Sequence, residues 1–472
     1  MTDLIERENP ARFAEIVGAV AVTSPAEVDA IVRRADAEQR RWAATPLPDR
    51  LAALTGAATA LENAVEELAT LLARESGKVL ADCRGELGFA VRFLRWVVSR
   101  AISAYADSTV DDDLGRLVLL RKPYGVIAAI TPWNAPVILA MLKIAPALAA
   151  GNAVVLKPSP LAPLTISRVA ALFEAPLTVV HGDGATGAAL VGHDLIRKVA
   201  FTGGATGGRA VAALAGDRLT PSVLELGGND PAVFLADASF TDAAMDRLVM
   251  ATFATSGQVC MAAKRLYVPE SRLDDFVAAY RAAADRVLVT SDPLAPGATM
   301  GPVISADAQR SAAAFRDDGA LVDLGRFDAD PATGYFVRPG LVVAPDPDSR
   351  LVRTEQFAPV VPVLGYRDEE SVLAAANAGD LGLGASVWSA DEERAFAFAR
   401  RFEAGFAFVN THNRTGMSLR APFGGVKRSG WGREYAEEGL LEYVQTCVIH
   451  APAAFRPGAE IPAAGPSAYP AG

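Results

Sequence analysis

Cysteine is scarce in this chain of 472 residues, and Cys83, Cys260 and Cys447 include no CxxC pair. An odd number of scattered thiols supports neither a disulfide framework nor a zinc knuckle; it fits a reducing cytoplasm and gives no metal site to expect. Basic runs are absent as well. With 45 Lys and Arg against 55 Asp and Glu, the net charge of -10 argues against nucleic-acid binding by simple electrostatics and points to small-molecule ligands. No clean apolar stretch is long enough to span a membrane: the most apolar region, Val118 to Leu156, is broken by Arg121, Lys122, Lys143 and several prolines. The opening residues MTDLIERENP carry acids where an export signal carries bases, and no apolar core follows, so no export is expected. There is no internal repeat. What is present is a chain 51% hydrophobic, enough for two large domains or three modest ones.

Ser24-Pro25-Ala26-Glu27 reads as a capping box with proline at the first helical position, and Val28, Ile31, Val32 and Ala35 follow at helical spacing. Alanine- and leucine-rich windows at 49–75 and 80–106 continue the pattern, so the first hundred residues read as mainly helical. Asp111 to Gly115 is a turn, and Arg116 to Arg121 reads as a strand of an exposed hairpin arm. From Tyr124, β-rich runs at 125–130, 153–156, 177–180, 198–201 and 222–226 alternate with helical windows at 137–149, 164–173, 187–192 and 207–214. The fold class is therefore α/β, with a Rossmann-like doubly wound nucleotide-binding domain. Its ligand rim gathers Thr131-Pro132-Trp133-Asn134, Lys157-Pro158-Ser159-Pro160 and Thr202-Gly203-Gly204 at the strand ends. A second α/β region starts after Gly227-Gly228, with a helix near 242–255, a strand at 265–268 and a helix at 273–287, and continues to about Asn410. Leu440 to Ile449 reads as a helix end and a strand, and the Pro-, Ala- and Gly-rich tail beyond it is expected to be poorly ordered.

Five stretches carry candidate chemistry. Phe253 to Cys260 is an apolar approach ending in Gly257-Gln258-Val259-Cys260, and a turn at Gly257 would present the thiol at a pocket mouth, making Cys260 a candidate nucleophile; the alternative is a buried thiol acting as a small hydrophobe. Glu225 ends a strand before two glycines, either a general base or a solvated carboxylate. Thr202-Gly203-Gly204-Ala205-Thr206-Gly207-Gly208 lies between strand and helix, where free N–H groups and the helix dipole favour a phosphate, although the glycine spacing is not the usual dinucleotide fingerprint. Asn134 is either an oxyanion donor or an Asx-turn residue, and Lys157 either a cofactor contact or a snorkelling lysine.

In this order, TPWN, LKPS, FTGGATGG, LELGG, GQVC, EQFAP and PFGGVKRSGWGRE resemble the aldehyde dehydrogenase superfamily, from about Asn9 to Ile449. The resemblance implies a nucleotide-binding domain (1–104 and 124–226), an α/β catalytic domain (227–436), a small β oligomerisation arm (105–123 and 437–452) and a disordered tail (453–472). It makes Cys260 the nucleophile, Glu225 the base, Asn134 the oxyanion donor, Lys143 a proton-relay residue and Glu434 a second acid near the base. The dinucleotide contacts it implies are Thr131, Pro132, Trp133, Lys157, Ser159, Gly187, Phe201, Thr202, Gly203, Gly204, Gly208, Leu226, Gly227, Glu355 and Phe357. Among these, Lys157 would meet the adenosine ribose, Gly203 and Gly208 the pyrophosphate, and Glu355 the nicotinamide ribose. The implied reaction oxidises an aldehyde to its acid with NAD or NADP through a thiohemiacetal and thioester on Cys260, and a glutamate at the base position favours hydrolysis over transfer to coenzyme A.

Departures from the family pattern bear on specificity. Pro160 stands where many members have a glutamate that grips the adenosine ribose, which admits NADP, with Lys157 and Ser159 available to its phosphate; NAD is placed slightly ahead because most of the site is indifferent to that group. Gly204 replaces a common serine, Ser256 a common asparagine, and the few residues before Asn9 imply shortened opening strands. Asn410 to Asn413, the loop through Met417, and Trp133, Phe253 and Val259 are expected to line an apolar entrance, suiting an uncharged aliphatic or aromatic aldehyde. The alternative is a carboxylate-bearing semialdehyde, which needs a cation there; Lys264, Arg265, Arg414 and Arg420 are the candidates. A thioesterase is disfavoured by Lys157, Glu355 and the glycine turn, and a non-catalytic scaffold by the presence of Cys260, Glu225 and Asn134 together. The arm resembles the family's subunit contacts, implying a homodimer or homotetramer.

Overall fold

The computed structural model describes residues 3–456. Most of the tail, from residue 457 on, lies outside the described residues, while Ala453–Phe455 form a single helical turn. The chain opens on an antiparallel hairpin, β1 (Leu4–Asn9) and β2 (Arg12–Ala21), in a stretch that the sequence reads as helical or shortened. Most of its side chains remain exposed or half-exposed on both faces, so no period-two burial pattern marks it in the sequence. Helices α1 (Pro25–Ala44), α2 (Leu47–Asn63), α3 (Val65–Ser76) and α4 (Leu80–Ala104) follow. The Ser24 box forms as expected, with Ser24 N–H donating to Glu27 at 2.7 Å. The single window at 49–75 divides at Ala64 into α2 and α3.

The arm begins with β3 (Ser108–Asp112) and β4 (Gly115–Pro123), so the expected turn narrows to Asp113-Leu114. The first large sheet then builds from β5 (Val126–Ile130), β6 (Ala153–Lys157), β7 (Leu177–Val179), β8 (Ile196–Thr202) and β9 (Ser222–Glu225), all parallel, in the order β9-β8-β5-β6-β7. Helix α5 (Pro136–Ala150) is buried almost all round between this sheet and the helices α2 and α4, which is why its sequence is continuously apolar apart from Lys143. The chain winds outward from β5 to β7 and returns on the other side at β8. The crevice at that switch of direction opens outside the carboxyl ends of β5 and β8, where Thr131 to Asn134 and Thr202 to Gly204 sit.

The second sheet has seven strands in the order Ala320–Asp323, Gly340–Val343, Val360–Tyr366, Arg265–Pro269, Pro231–Phe234, Gly384–Trp388, Phe406–Val409, parallel except for the first pair. After Val409 the chain returns to the first sheet, where Gly430–Trp431 pairs antiparallel with β9. The stretch 227–436 thus contributes an edge strand to the first sheet. Val444–Pro452 closes the arm by pairing with β4 along its whole length. No helix among the described residues is long and apolar enough to cross a membrane.

Candidate active site

Cys260 lies on the loop between the turn Ala254–Gly257 and the strand Arg265–Pro269. Thr255, Ser256 and Gly257 have φ of 55°, 58° and 70°, three successive left-handed residues of which only the glycine adopts that conformation without cost. The strain is held by specific bonds. Ser256 Oγ donates to Gly301 O at 2.8 Å, Gln258 Nε2 donates to Thr255 O at 3.1 Å, and Gln258 Oε1 accepts from Ile304 N–H at 3.0 Å. A Cβ on Gly257 would stand 2.3 Å from Ala358 O. Lys264 Nζ donates to Val259 O at 2.6 Å and also to Cys260 O. Cys260 is half-buried, and desolvation pushes its thiol pKa up to about 12 against the pull of Lys264.

Two further groups converge on this loop. Asn134, buried on the turn after β5, donates through Nδ2 to Gln258 O at 2.9 Å and so ties the first sheet to the nucleophile loop. Glu225, at the end of β9, is 4% exposed, and among the described residues neither carboxylate oxygen meets a hydrogen-bond partner. Burial first, and then the charge of Glu434, raises its pKa well above the usual carboxylate range, opposed by Lys143 and Arg433. Lys143, fully buried on α5, donates to Glu434 Oε1 at 2.6 Å and to Thr202 Oγ1 at 2.7 Å. The turn after Glu225 has glycines because other groups occupy the space of a side chain: a Cβ on Gly227 would stand 2.1 Å from Glu355 Oε2, and one on Gly228 would stand 2.7 Å from Cys260 O. Gly424 does the same service for the base, its Cβ position lying 2.8 Å from Glu225 Oε1.

The strand-end crevice fits a dinucleotide. Lys157 is buried at the end of β6, its only hydrogen bond among the described residues being one of 3.4 Å to Pro158 O, and burial lowers its pKa; an ammonium so placed has donors to spare for a ligand. The Thr131 hydroxyl is buried without a partner on the neighbouring loop. The helix Ala205–Asp217 begins at Gly204 with no side-chain cap, and a Cβ there would meet nothing within 4 Å among the described residues, leaving its first N–H groups open to a phosphate. Gly203 packs on Phe201, Gly208 on Leu226 and Gly187 on Lys157, and Ser159 Oγ accepts from Leu161 N–H at 3.2 Å. Glu355 accepts from Gly228 N–H at 3.2 Å, with burial raising its pKa, and Pro132 leads into Trp133, whose ring meets Phe357 edge-on at 5.7 Å. Trp133, Glu355 and Phe357 line one cavity together.

A separate cavity of about 300 Å³ opens beside Cys260, lined by Asn134, Val259, Met261, Met417 and faces of α4 and α5. Several residues expected to line the aldehyde entrance lie elsewhere. Phe253 is fully buried against Tyr280 in the core of the second sheet, and Trp133 faces the Glu355 cavity. Asn410 bonds Ser389, His412 bonds Ser386 at 2.7 Å and Asn413 donates to Ala251 O at 2.9 Å, so these polar groups brace the loop instead of meeting substrate. Of the candidate cations, Lys264 donates to the Val259 and Cys260 carbonyls, Arg265 donates to the Asn229, Ala375 and Ala376 carbonyls, neither of these nor Arg420 is in the cavity lining, and Arg414 is in the lining but paired with Asp82 at 3.2 Å. The sequence reading missed Lys78, Glu86, Phe89, Arg92 and Tyr435, all of which line this cavity. The signal available for α4 was a pair of glycines, Gly85 and Gly88, one turn apart inside a long helix.

The model of the aldehyde dehydrogenase family matches residues 2–449. Phenylacetaldehyde dehydrogenase of Pseudomonas fluorescens is 38% identical over 442 residues, covering 89% of this chain and 87% of that protein. Succinate-semialdehyde dehydrogenase (NADP(+)) of Deinococcus radiodurans is 34% identical over 436 residues, covering 90% of each. Among solved structures, an NAD-dependent aldehyde dehydrogenase from Sinorhizobium meliloti is similar with a TM-score of 0.91 at 30% identity, over 98% of this chain and 93% of that one.

Proposed function

The chain belongs to the aldehyde dehydrogenase family, and from that premise we propose that it oxidises an aldehyde to its carboxylic acid with NAD or NADP, through a thioester on Cys260. The observation that carries this reading is the meeting of three groups: Asn134 bonded to the nucleophile loop, Glu225 at the end of β9, and the Gly228 turn packed on the Cys260 carbonyl. The Cys260 thiol gives up its proton to solvent, the thiolate adds to the aldehyde carbon, and the thiohemiacetal oxyanion so formed takes hydrogen bonds from Asn134 Nδ2 and the Cys260 backbone N–H. The dinucleotide, when bound, supplies the hydride acceptor. Glu225 then takes a proton from water, whose oxygen attacks the thioester, and the carboxylic acid leaves with the thiol restored. Lys143 and Glu434 hold the proton balance around Glu225, while Lys157, Ser159, Thr131, the Gly203–Gly208 turn and Glu355 would hold the dinucleotide.

NAD and NADP both remain within this proposal, since Pro160 places no carboxylate against a ribose phosphate and the relatives include an NADP(+) enzyme as well as an NAD-dependent one. The apolar lining favours an uncharged aliphatic or aromatic aldehyde. A second reading, an aldehyde carrying a distal carboxylate, is favoured by Arg92, which lines the cavity and lies over the Phe89 ring but forms no ion pair among the described residues. Reduced-nicotinamide formation by the chain and by Cys260→Ala, over matched neutral and carboxylated aldehydes with each cofactor, tests all of this; turnover that survives in Cys260→Ala would defeat it. We further assign residues 1–104 and 124–226 to cofactor binding, 227–436 to catalysis, and 105–123 with 437–452 to an arm. The exposed Val110, Val448 and Ile449 on that three-stranded sheet support a homodimer or homotetramer, which a monomeric mass by light scattering would overturn. The three free thiols support a cytoplasmic location.

A further inference from the structure

Helix α4 turns an unusual face toward the cavity beside Cys260. Gly85, Gly88, Phe89 and Arg92 are spaced i, i+3, i+4 and i+7 and so share one side of the helix, and Gly85, Phe89 and Arg92 line the cavity. Neither glycine is demanded by packing: a Cβ on Gly85 meets nothing within 4 Å, and one on Gly88 meets only Arg92 Nη1, at 3.6 Å. Neither is demanded by conformation, because both lie inside a regular helix of 25 residues, where glycine is destabilising. Gly85 is exposed, so what it provides is a wide mouth to the cavity it helps line. The adjoining wall begins with another small residue, Ala135, and continues through the apolar Ile138, Leu139, Met261, Met417 and Tyr435, while the charged Lys78 and Glu86 in the same lining are paired with each other and Arg414 is paired with Asp82. The rings of Phe89 and Tyr435 lie 6.2 Å apart, tilted, in the same lining.

The cavity measures about 300 Å³, whereas an apolar protein cavity of about 150 Å³ is enough to hold a benzene ring. A linear alkyl chain would fill this space poorly and lose more rotamer freedom on binding than a ring does. We propose that Gly85, together with Ala135, sets the substrate class of this enzyme as aldehydes with a ring-bearing body, in preference to linear aldehydes of the same carbon number. This rests on the reading of Cys260 as the nucleophile.

The test compares kcat/KM for 3-phenylpropanal and nonanal, which have equal numbers of carbons, in the full chain and in Gly85→Leu, Gly85→Ala and Ala135→Leu. The wild type is expected to favour 3-phenylpropanal. Gly85→Leu, which narrows the mouth, is expected to lower the ratio of the two kcat/KM values by about 10- to 200-fold, the range that a single methylene produces in an apolar pocket. Ala135→Leu lowers the ratio from the other wall, and Gly85→Ala lowers it less. The melting temperature of Gly85→Ala should equal or exceed that of the wild type, since a helix glycine has been removed. A wild-type preference for nonanal, or a ratio unchanged in both leucine variants while both aldehydes are oxidised, overturns the inference and leaves the nucleophile reading standing. Turnover of no aldehyde overturns both.

Discussion

Removing the Lys143 ammonium should destabilise the protein strongly at neutral pH and weakly at mildly acidic pH. Lys143 is fully buried, bonded to Glu434 at 2.6 Å, and is the principal cation offsetting both Glu434 and Glu225, each 4% exposed. In Lys143→Met the two carboxyls would face each other with that cation gone. Breaking a buried pair from one side typically costs about 3–5 kcal/mol. The loss is also bounded above, because the stranded carboxylate can instead take a proton. For a carboxyl of ordinary pKa near ~4.3, that costs roughly 4 kcal/mol at pH 7 and only about 1 kcal/mol at pH 5, at ~1.36 kcal/mol per pH unit. Urea unfolding of the wild type and Lys143→Met at the two pH values should therefore show a deficit of about 3–4 kcal/mol at pH 7 that shrinks to about 1 kcal/mol at pH 5. The double variant Lys143→Met with Glu434→Gln should recover most of the pH 7 loss. A deficit below about 1 kcal/mol at pH 7, or one independent of pH, would refute the placement of these charges.

Three further outcomes follow from the same structure. Asn134→Ala removes one oxyanion donor and should lower kcat by about 10²- to 10³-fold with a much smaller change in KM; a change confined to KM would remove Asn134 from that role. Glu75, wholly buried beside Arg7, has its pKa raised to about 8 mainly by desolvation. Its folded pKa lies above the unfolded value, so its contribution is complete below about pH 4.5 and is lost as pH rises through 8; Glu75→Gln should flatten the wild-type decline in stability between pH 5 and pH 9, and an unchanged slope counts against the assignment. Lys157→Ala should weaken dinucleotide binding, followed by quenching of protein fluorescence in the absence of aldehyde, by at least tenfold, and equal binding by variant and wild type would exclude Lys157 from the cofactor site.

The parallel sheet was legible because its strands are buried on both faces and so appear as unbroken apolar runs: the expected strand at 198–201 lies within Ile196–Thr202, and that at 153–156 within Ala153–Lys157. The opening hairpin was not, since the half-exposed side chains of Arg12–Ala21 carry no such signal. Among site residues, the motifs located Cys260, Glu225, Asn134 and Lys143, which the fold brings to one boundary from separate loops and helices. The substrate wall was harder to read. Gly85, Phe89 and Arg92 reach the cavity only because α4 packs against α5, a long-range contact that local patterning does not specify. Phe253 misled for the converse reason: its nearness to Cys260 in sequence placed it at the entrance, but the kink of three left-handed residues at Thr255 to Gly257 turns the chain, leaving Phe253 in the core behind the nucleophile.

The covalent role of Cys260 is tested most directly by stopping the reaction at the thioester. With Glu225→Gln, which blocks hydrolysis, the enzyme mixed with aldehyde and dinucleotide and quenched in acid should carry one acyl group per chain, mapped by peptide mass spectrometry to Cys260, and Cys260→Ala should carry none. The absence of an adduct while reduced nicotinamide forms in the first turnover, or an acyl group on any other residue, would contradict the account.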